Sequence, residues 1–363
     1  RAILLVLLVA CWGCRTTADR DAYLRKVSDK LIRLKSVSYY ATEAGSLPYD
    51  TGRVREIRKS YYKVVMNPLD TLVGSRSIWF LAKDTTKAMA FYDGNAHGYV
   101  EWDKHCVTVD SFKVQLAPFR IVHYPVYSKV NEIIKYALTT KDSIRTKFID
   151  YGDSVFFSLK IFNKHVYFHI KPIVVKEDYV PENEVSQFDV WIRKSDDMPY
   201  KLRSQWHHAT NIEYCYNETF NTTQDVVFDA KSLYPASFKT GGYLLKEPSR
   251  SDTDLTGKKA PGWTLKDADG KEFELTDFNG KVLLVQFTGI GCGPCHQAIP
   301  FLKKLVNDYK SKDFEFVSIE TWSNDMEDLK AYQDRNGFNF KFLKAPEQVK
   351  KSYNVSLVPA FYV

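Results

Sequence analysis

The chain has 363 residues, of which 44% are hydrophobic, so it is long enough to bury more than one core. Its formal net charge of +7 comes from 51 basic and 44 acidic residues that are mixed along the chain. Since there is no basic block or stripe, we expect no nucleic-acid partner. The 17 Gly and 14 Pro are too few for a low-complexity chain. Two folded domains are therefore predicted.

The first residues are typical of the end of an export signal. The chain opens on Arg1, so we expect an incomplete N-terminus, and residues 2–10 are apolar throughout. This run is too short to span a bilayer but fits the apolar part of a secretory signal. Leu8-Val9-Ala10-Cys11 resembles a bacterial lipoprotein cleavage signal, which would make Cys11 a lipidated first residue. Two alternatives stay open: ordinary signal cleavage that removes Cys11, and a buried strand at this end of the chain.

Residues 1–19 are therefore predicted to be a leader and tether, and residues 20–240 have the pattern of a β-rich domain. Apolar residues at spacings of three and four from Leu24 to Leu34 predict a helix, and residues 127–138 predict another. Between and after these helices, alternating segments bounded by turn residues predict many antiparallel strands. This order favours an α+β domain in which a large curved sheet holds a helix.

Three segments of this domain resemble the LolA-like lipoprotein-carrier fold, an open half-barrel. They are residues 31–39, Phe91-Tyr92-Asp93-Gly94 and residues 188–202. The resemblance implies a concave sheet that could hold a lipid, an acyl chain or an extended segment of a partner. A scaffold that only spaces the following domain from the membrane is the alternative.

No metal site is predicted in this domain. His207 and His208 are adjacent, so on a strand they would point to opposite faces. His165 and His169 would share a face, but no acid or cysteine lies at ligand spacing from them. Separately, Cys106 and Cys215 lie on different predicted strands. They could form a disulfide after export or remain buried free thiols, and sequence does not decide between the two.

Residues 241–258 are predicted to be a linker, and the segment that follows contains a redox motif. The apolar run 282–287 predicts a strand buried on both faces. Apolar residues at helical spacing from Ile299 to Tyr309 predict a helix. The sequence Cys292-Gly293-Pro294-Cys295 lies between them, so the two cysteines are placed where a strand leads into a helix.

This position is expected to make the Cys292 thiol easier to ionise. The first turn of a helix presents free N–H groups and a partial positive charge, which would stabilise a thiolate, the nucleophile of disulfide exchange. Pro294 fits the first turn because its missing N–H costs nothing there. Cys295, one turn further, could close a disulfide with Cys292. Half of a zinc site and a purely structural disulfide are the alternatives, and no cofactor is expected.

Residues 259–363 resemble the TlpA/ResA-like thiol-disulfide oxidoreductases of the thioredoxin superfamily. The matching segments are residues 260–265 and 275–281 of an entry hairpin, Cys292-Gly293-Pro294-Cys295, Pro300 in the helix, and Val358-Pro359. The resemblance implies an α/β thioredoxin-like fold in which Val358-Pro359 is a cis peptide that faces the redox pair and aligns the substrate. The closing strand and last helix of that fold are missing, so we expect a C-terminally incomplete domain.

Four departures from the family put its proton-transfer residues in doubt. Gln286 stands where thioredoxin has a buried acid, Ala298 where many relatives have Glu, and Gly291 where thioredoxins have Trp. His296 replaces the usual basic residue after the motif. Its imidazole could take over proton transfer, since it titrates near neutrality, or it could be an ordinary solvent-facing histidine.

The sequence thus predicts an exported, lipid-anchored protein-disulfide reductase of the bacterial cell envelope, facing the periplasm. Its partners would be protein thiol or disulfide substrates and an upstream thiol electron donor, with a lipid or acyl ligand possible in the N-terminal domain. The alternative is a lipid- or lipoprotein-binding module with a thioredoxin-like docking domain of low activity.

Overall fold

The computed structural model describes residues 17–46, 54–112, 122–175, 182–207, 209–222, 230–242, 255–310, 312–323 and 325–363. Cys11 and the rest of the predicted leader before Thr17, His208, and residues 243–254 of the predicted linker lie outside these ranges. Within the ranges, no helix has the length together with the hydropathy that a membrane span requires.

The N-terminal part is a sheet with two helices. In chain order its elements are α1 (Thr17–Ile32), β1 (Ser36–Ser46), β2 (Arg55–Met66), β3 (Ser75–Leu81), β4 (Asp84–Tyr92), β5 (His97–Glu101), β6 (Cys106–Asp110), α2 (Val126–Thr139), β7 (Ile144–Asp150), β8 (Ser154–Phe162), β9 (His165–Phe168), β10 (Pro172–Val175), β11 (Val185–Arg193), β12 (Met198–Gln205), β13 (Thr210–Phe220) and β14 (Lys239–Gly242). Both helices lie where the apolar spacing predicts them.

Twelve of these strands form one sheet in the order β14-β6-β5-β4-β3-β2-β1-β13-β12-β11-β8-β7, and β9 and β10 form a separate hairpin. Neighbouring strands of the large sheet are antiparallel except β14 and β6. The parallel pair extends the sheet to Gly242, two residues into the predicted linker. The half-barrel shape and the LolA-like resemblance of this part stay predictions.

Both helices pack on the sheet through apolar side chains. Val27 of α1 and Ile133 of α2 are fully buried in the same cluster as Tyr39 of β1 and Phe157 of β8. Because helical spacing puts these residues on one face, each helix buries an apolar stripe against the alternating inward side chains of the strands. The packing places the polar faces of the helices towards solvent.

The C-terminal part is a smaller α/β unit. Its elements are β15 (Thr264–Asp267), β16 (Glu272–Glu274), β17 (Val282–Thr288), α3 (Gly293–Asp308), β18 (Phe314–Glu320), α4 (Met326–Asn336), β19 (Lys341–Lys344), α5 (Glu347–Ser352) and β20 (Ala360–Tyr362). The sheet order is β16-β15-β19-β18-β17-β20. Strand β18 is parallel to β17 and to β19, and β20 is antiparallel to β17. This is the thioredoxin-like architecture that the sequence predicts.

Strand β17 leads the chain into the redox motif, but only its second half is enclosed. Val285 and Phe287 are buried, whereas Val282 at its start is 56% exposed. The expectation of a strand buried on both faces is therefore wrong for Val282. An apolar run predicts the strand but not which of its ends projects beyond the helices that cover the sheet.

An ion pair joins the two parts of the chain. The Arg55 guanidinium on β2 donates to both carboxylate oxygens of Asp328 on α4, one of them through Nη1 at 2.5 Å. Asp325, the N-cap of α4, lies 3.4 Å from the same guanidinium. Since Arg55 is 45% exposed, we expect this contact to contribute little to stability.

Candidate redox-active site

The two cysteines lie at the N-terminus of α3, as predicted. Cys292 is the N-cap residue and forms a disulfide with Cys295, with their Cα atoms 5.2 Å apart. The backbone N–H of Cys295 donates to Cys292 Sγ at 3.2 Å. Pro294 occupies the first turn, where its missing N–H removes no helical hydrogen bond. The helix terminus therefore directs an N–H group and its positive end at the Cys292 sulfur.

Segment 358–359 closes one side of this disulfide. The Val358–Pro359 peptide bond is cis, and the Val358 carbonyl oxygen lies 3.8 Å from Cys292 Sγ. Both cysteines are buried, with Cys292 4% and Cys295 2% exposed. Pro294, between them, is exposed. A partner sulfur would thus have to approach Cys292 past Pro294 and Val358.

Gln286 lies beneath the pair on β17. It is 2% exposed, and its Oε1 accepts a hydrogen bond from the Ser318 hydroxyl at 3.0 Å. Gln286 and Cys295 both line a small cavity of about 10 Å³, near the least volume that holds a water. Its Nε2 makes no hydrogen bond within the described residues. The amide can orient a group beside Cys295, but it cannot accept the proton of that thiol.

Glu320, at the end of β18, is a site residue that the sequence analysis missed. Its buried carboxylate accepts backbone N–H bonds from Ile290 at 2.7 Å, Trp322 at 2.6 Å and Ser323 at 2.8 Å. Burial raises its pKa, against the opposing effect of these N–H groups. Since Ile290 is two residues before Cys292, Glu320 fixes the loop that carries the motif. An acid at the carboxyl end of a strand next to β17 is the signal that could have indicated it.

Comparison with known proteins assigns the family. Residues 255–361 match the family model described as Redoxin. Over 125 residues the chain is 30% identical to thiol-disulfide oxidoreductase ResA of Bacillus thuringiensis subsp. konkukian (strain 97-27), a match that covers 34% of this chain and 68% of that protein. The chain belongs to the ResA-like thiol-disulfide oxidoreductases of the thioredoxin superfamily.

Two further proteins are similar to about a third of the chain. ResA of Bacillus subtilis (strain 168) is 30% identical over 108 residues, which cover 30% of this chain and 60% of that one. A solved thioredoxin domain of a thiol-disulfide oxidoreductase from Bacteroides vulgatus is 29% identical to the chain, with a TM-score of 0.28. The match covers 29% of this chain and 77% of that chain. The Redoxin match over residues 255–361 places the ResA-like assignment in the C-terminal part of the chain.

In this ResA-like site, His296 is not fully solvent-facing. It is half-buried, and its Nδ1 lies 3.4 Å from the Tyr332 hydroxyl on α4. Burial lowers its pKa, with smaller contributions from Arg335 and His207. The lowered pKa favours the neutral imidazole.

Trp322 is the second residue that the sequence analysis missed. Its indole covers Gly289 so closely that a Cβ on Gly289 would lie 2.3 Å from a ring carbon. The Gly289 carbonyl in turn accepts the Cys292 N–H at 2.9 Å. Trp322 is 53% exposed. An exposed aromatic ring thus lies on the turn that carries Cys292, although Gly291 replaces the tryptophan that thioredoxins have there.

Proposed function

We propose that this ResA-like chain is an exported, membrane-anchored oxidoreductase that reduces disulfides of other proteins through Cys292 and Cys295. The observation that carries the proposal is the N–H of Cys295, which points at Cys292 Sγ from the first turn of α3. In the reduced protein the same N–H would stabilise a Cys292 thiolate, because charge-assisted hydrogen bonds favour the ionised form.

The proposed reaction moves two electrons from the cysteine pair to the substrate. The Cys292 thiolate attacks one sulfur of a substrate disulfide, forming a mixed disulfide and releasing the other substrate sulfur as a thiolate. The Cys295 thiol gives its proton to the released substrate thiolate, and its sulfur attacks Cys292 Sγ and displaces the second substrate thiolate, which takes a proton from water. The products are a substrate dithiol and the Cys292–Cys295 disulfide. An upstream thiol donor reduces the pair again by the reverse exchange.

Measuring alkylation against pH in the reduced protein tests this proposal. We expect Cys292 to ionise well below the pKa of a free thiol, about 8.5. Cys106 is an internal control, since its hydrogen bond to Glu101 raises its pKa. Peptide mapping separates the two sites. If Cys292 is alkylated with the pH profile of a free thiol, the helix terminus does not activate it and the proposal fails.

Two segments beside the cysteines provide a surface for the substrate chain. Trp322 covers the turn before Cys292, and Leu357, which precedes Val358 and Pro359, is 61% exposed. Exposed apolar side chains next to a reactive group are suited to hold an extended polypeptide. We propose that Val358 and Pro359 present backbone to that polypeptide while Trp322 and Leu357 contact its side chains.

We predict that Trp322→Ala raises the KM for a protein disulfide substrate roughly three- to tenfold, the effect of losing one aromatic contact. The rate with a small aromatic disulfide should stay within about twofold of wild type. Leu69→Ala is the matched control, because Leu69 is 91% exposed but lies in the N-terminal part. An equal loss of activity with both substrates would mean that Trp322 maintains the loop and does not bind the substrate.

Export and anchoring are part of the proposal and are supported by the leader at residues 2–11. In that leader Cys11 would carry the lipid, and the periplasmic face of the cell envelope would supply substrates with disulfides. We propose the predicted division into leader 1–19, β-rich domain 20–240, linker 241–258 and redox domain 259–363, although α1 begins at Thr17 and β14 ends at Gly242. Labelling with a radioactive fatty acid, in the wild type and in Cys11→Ser, tests the anchor.

A second candidate function, binding of a lipid or acyl chain, is favoured by a cavity in the N-terminal part. The cavity has a volume of about 740 Å³ and is lined mainly by apolar and aromatic side chains such as Trp79. Two ion pairs, Arg58 with Glu43 and Lys129 with Glu213, make part of its wall polar. An apolar space with a few charged groups suits an amphiphile.

A fluorescent fatty acid probes this second function. We expect the wild type to bind it and Ala90→Phe, which fills part of the cavity wall, to bind at least about tenfold more weakly. Leu69→Ala should bind as the wild type does. If the wild type takes up no probe, or if Ala90→Phe binds it equally well, the cavity is not a lipid site.

A further inference from the structure

Three strand ends of the N-terminal part bring two histidines and a glutamate together. His165 begins β9, Glu184 immediately precedes β11, and His207 follows the end of β12. A bridge between Lys164 and Val185 ties the first two strands at this point. The sequence analysis paired His165 with His169 and His207 with His208, and neither pairing included an acid.

The ligand atoms of these three residues converge. Each of His165, Glu184 and His207 offers one atom, and all three atoms lie within 4.8 Å of one another. His165 Nδ1 lies 3.5 Å from Glu184 Oε1, and His207 Nδ1 contacts Glu184 Oε2. A tetrahedral ion with bonds of about 2.0–2.2 Å needs its ligand atoms roughly 3.3 Å apart. Small side-chain rotations would therefore bring the three atoms to coordination distance.

The surroundings hold this cluster in place. The side chains of Glu184 and His165 are 0% and 2% exposed, and that of His207 is 28% exposed. The His165 ring stacks on Trp206, whose indole N–H donates to the Val166 carbonyl at 2.8 Å. The His207 backbone N–H donates to Glu184 Oε1 at 3.1 Å, and a bound cation would add the positive charge that offsets burial of this carboxylate. His207 leaves a path from solvent for such an ion.

We propose that His165, Glu184 and His207 bind a divalent transition-metal cation, for which zinc is the best match. Two imidazole nitrogens and one carboxylate oxygen are the ligand set of three-ligand zinc sites, which leave a fourth position to water. Calcium and magnesium prefer oxygen ligands alone, and this set contains no sulfur for cuprous copper. Neither Cys292 nor Cys295 is among these three ligands, so the proposal does not depend on the proposed function.

The proposal is tested on the full-length protein without a histidine tag and with the Cys292–Cys295 disulfide closed, so that these two thiols cannot bind metal. Zinc is titrated in competition with a chromogenic chelator. We expect one zinc per chain, and at least about tenfold weaker binding for Glu184→Gln and for His207→Gln. His105→Asn is the matched control and should bind as the wild type does, because it removes a histidine outside the cluster.

Cobalt provides an independent readout. Its absorption spectrum in the wild type should show nitrogen and oxygen coordination without the charge-transfer band of a thiolate. The far-UV circular dichroism of each variant shows whether it is folded. If Glu184→Gln does not fold, His207→Gln, which changes a residue at the exposed edge of the cluster, provides the test. If the wild type binds no zinc, if a folded His207→Gln binds it equally well, or if cobalt shows a thiolate band, the three residues form only a buried ion pair and the proposal is wrong.

Discussion

Replacing Cys292 with Ser is expected to lower protein-disulfide reductase activity at least about a thousandfold, to the level of the uncatalysed thiol reaction. The serine hydroxyl keeps the hydrogen bond to the N-terminus of α3 but is not ionised at neutral pH, so no nucleophile remains. Insulin reduction in the presence of a thiol donor measures the loss. More than about a tenth of wild-type activity in Cys292→Ser would contradict the assigned role.

Cys295→Ser is expected to stop the reaction one step later. The mixed disulfide between Cys292 and the substrate should accumulate, because the sulfur that resolves it is absent. Non-reducing electrophoresis followed by mass spectrometry identifies the trapped partner. The same variant in membranes would capture the physiological substrate.

Cys106→Ser and Cys215→Ser are the matched controls for both cysteine variants and should keep wild-type activity. Both residues are free thiols in the structure, and five strands lie between β6 and β13 in the sheet, so they do not pair. Burial raises the pKa of Cys215, and the Glu101 hydrogen bond raises that of Cys106. Neither thiol is thus activated for exchange.

Glu320→Ala is expected to destabilise the protein by about 3 kcal/mol. The substitution leaves three backbone N–H groups without their acceptor, each worth roughly 1–3 kcal/mol, and relief of the buried charge offsets part of the cost. Urea unfolding monitored by tryptophan fluorescence measures the change. Because Ile290 belongs to the loop before Cys292, activity should also fall.

Glu315→Ala is the matched control on the same strand, β18. Its carboxylate makes ion pairs with Lys281 and Lys341, both at 3.0 Å and partly exposed, so its loss should cost no more than about 1 kcal/mol. A Glu320→Ala effect no larger than that of Glu315→Ala would mean that the N–H groups find other acceptors. In that case Glu320 does not fix the loop.

The pH dependence of stability provides a separate check on Glu320. Burial raises its folded-state pKa above the ordinary value of 4.5. The group therefore contributes its stability fully below pH 4.5 and loses it as the pH rises through the folded-state pKa. We expect the free energy of unfolding of the wild type, relative to Glu320→Gln, to decrease from pH 4 to pH 7. A difference that increases over this range would mean that the N–H groups outweigh burial.

The local parts of the site could be predicted from sequence. The motif with Pro294 between the cysteines and helical spacing after it place Cys292 at a helix N-terminus, because capping and first-turn preferences act over a few residues. Val358 and Pro359 lie more than sixty positions further on, so only the resemblance to a family indicated that they face Cys292. The structure places the Val358 carbonyl 3.8 Å from its sulfur.

The other residues of the site, and the pairing of distant strands, depend on tertiary structure. Glu320 and Trp322 reach the motif because β18 pairs in parallel with β17, and no pattern within either strand gives that register. Likewise, β13 lies next to β1 across most of the N-terminal part of the chain. His165, Glu184 and His207 meet only because three strand ends coincide. A pairing of distant segments is set by the packed core and not by local preference.

The most direct test of the central claim is the reduction potential of the Cys292–Cys295 pair, measured by equilibration with glutathione or dithiothreitol buffers. A reductase with Gly293 and Pro294 between its cysteines should lie near thioredoxin, at about −270 mV, and well below the oxidant DsbA at about −120 mV. We therefore predict a potential below about −200 mV. A value above about −150 mV would mean that the pair introduces disulfides into its substrates, and the proposed direction of the reaction would be wrong.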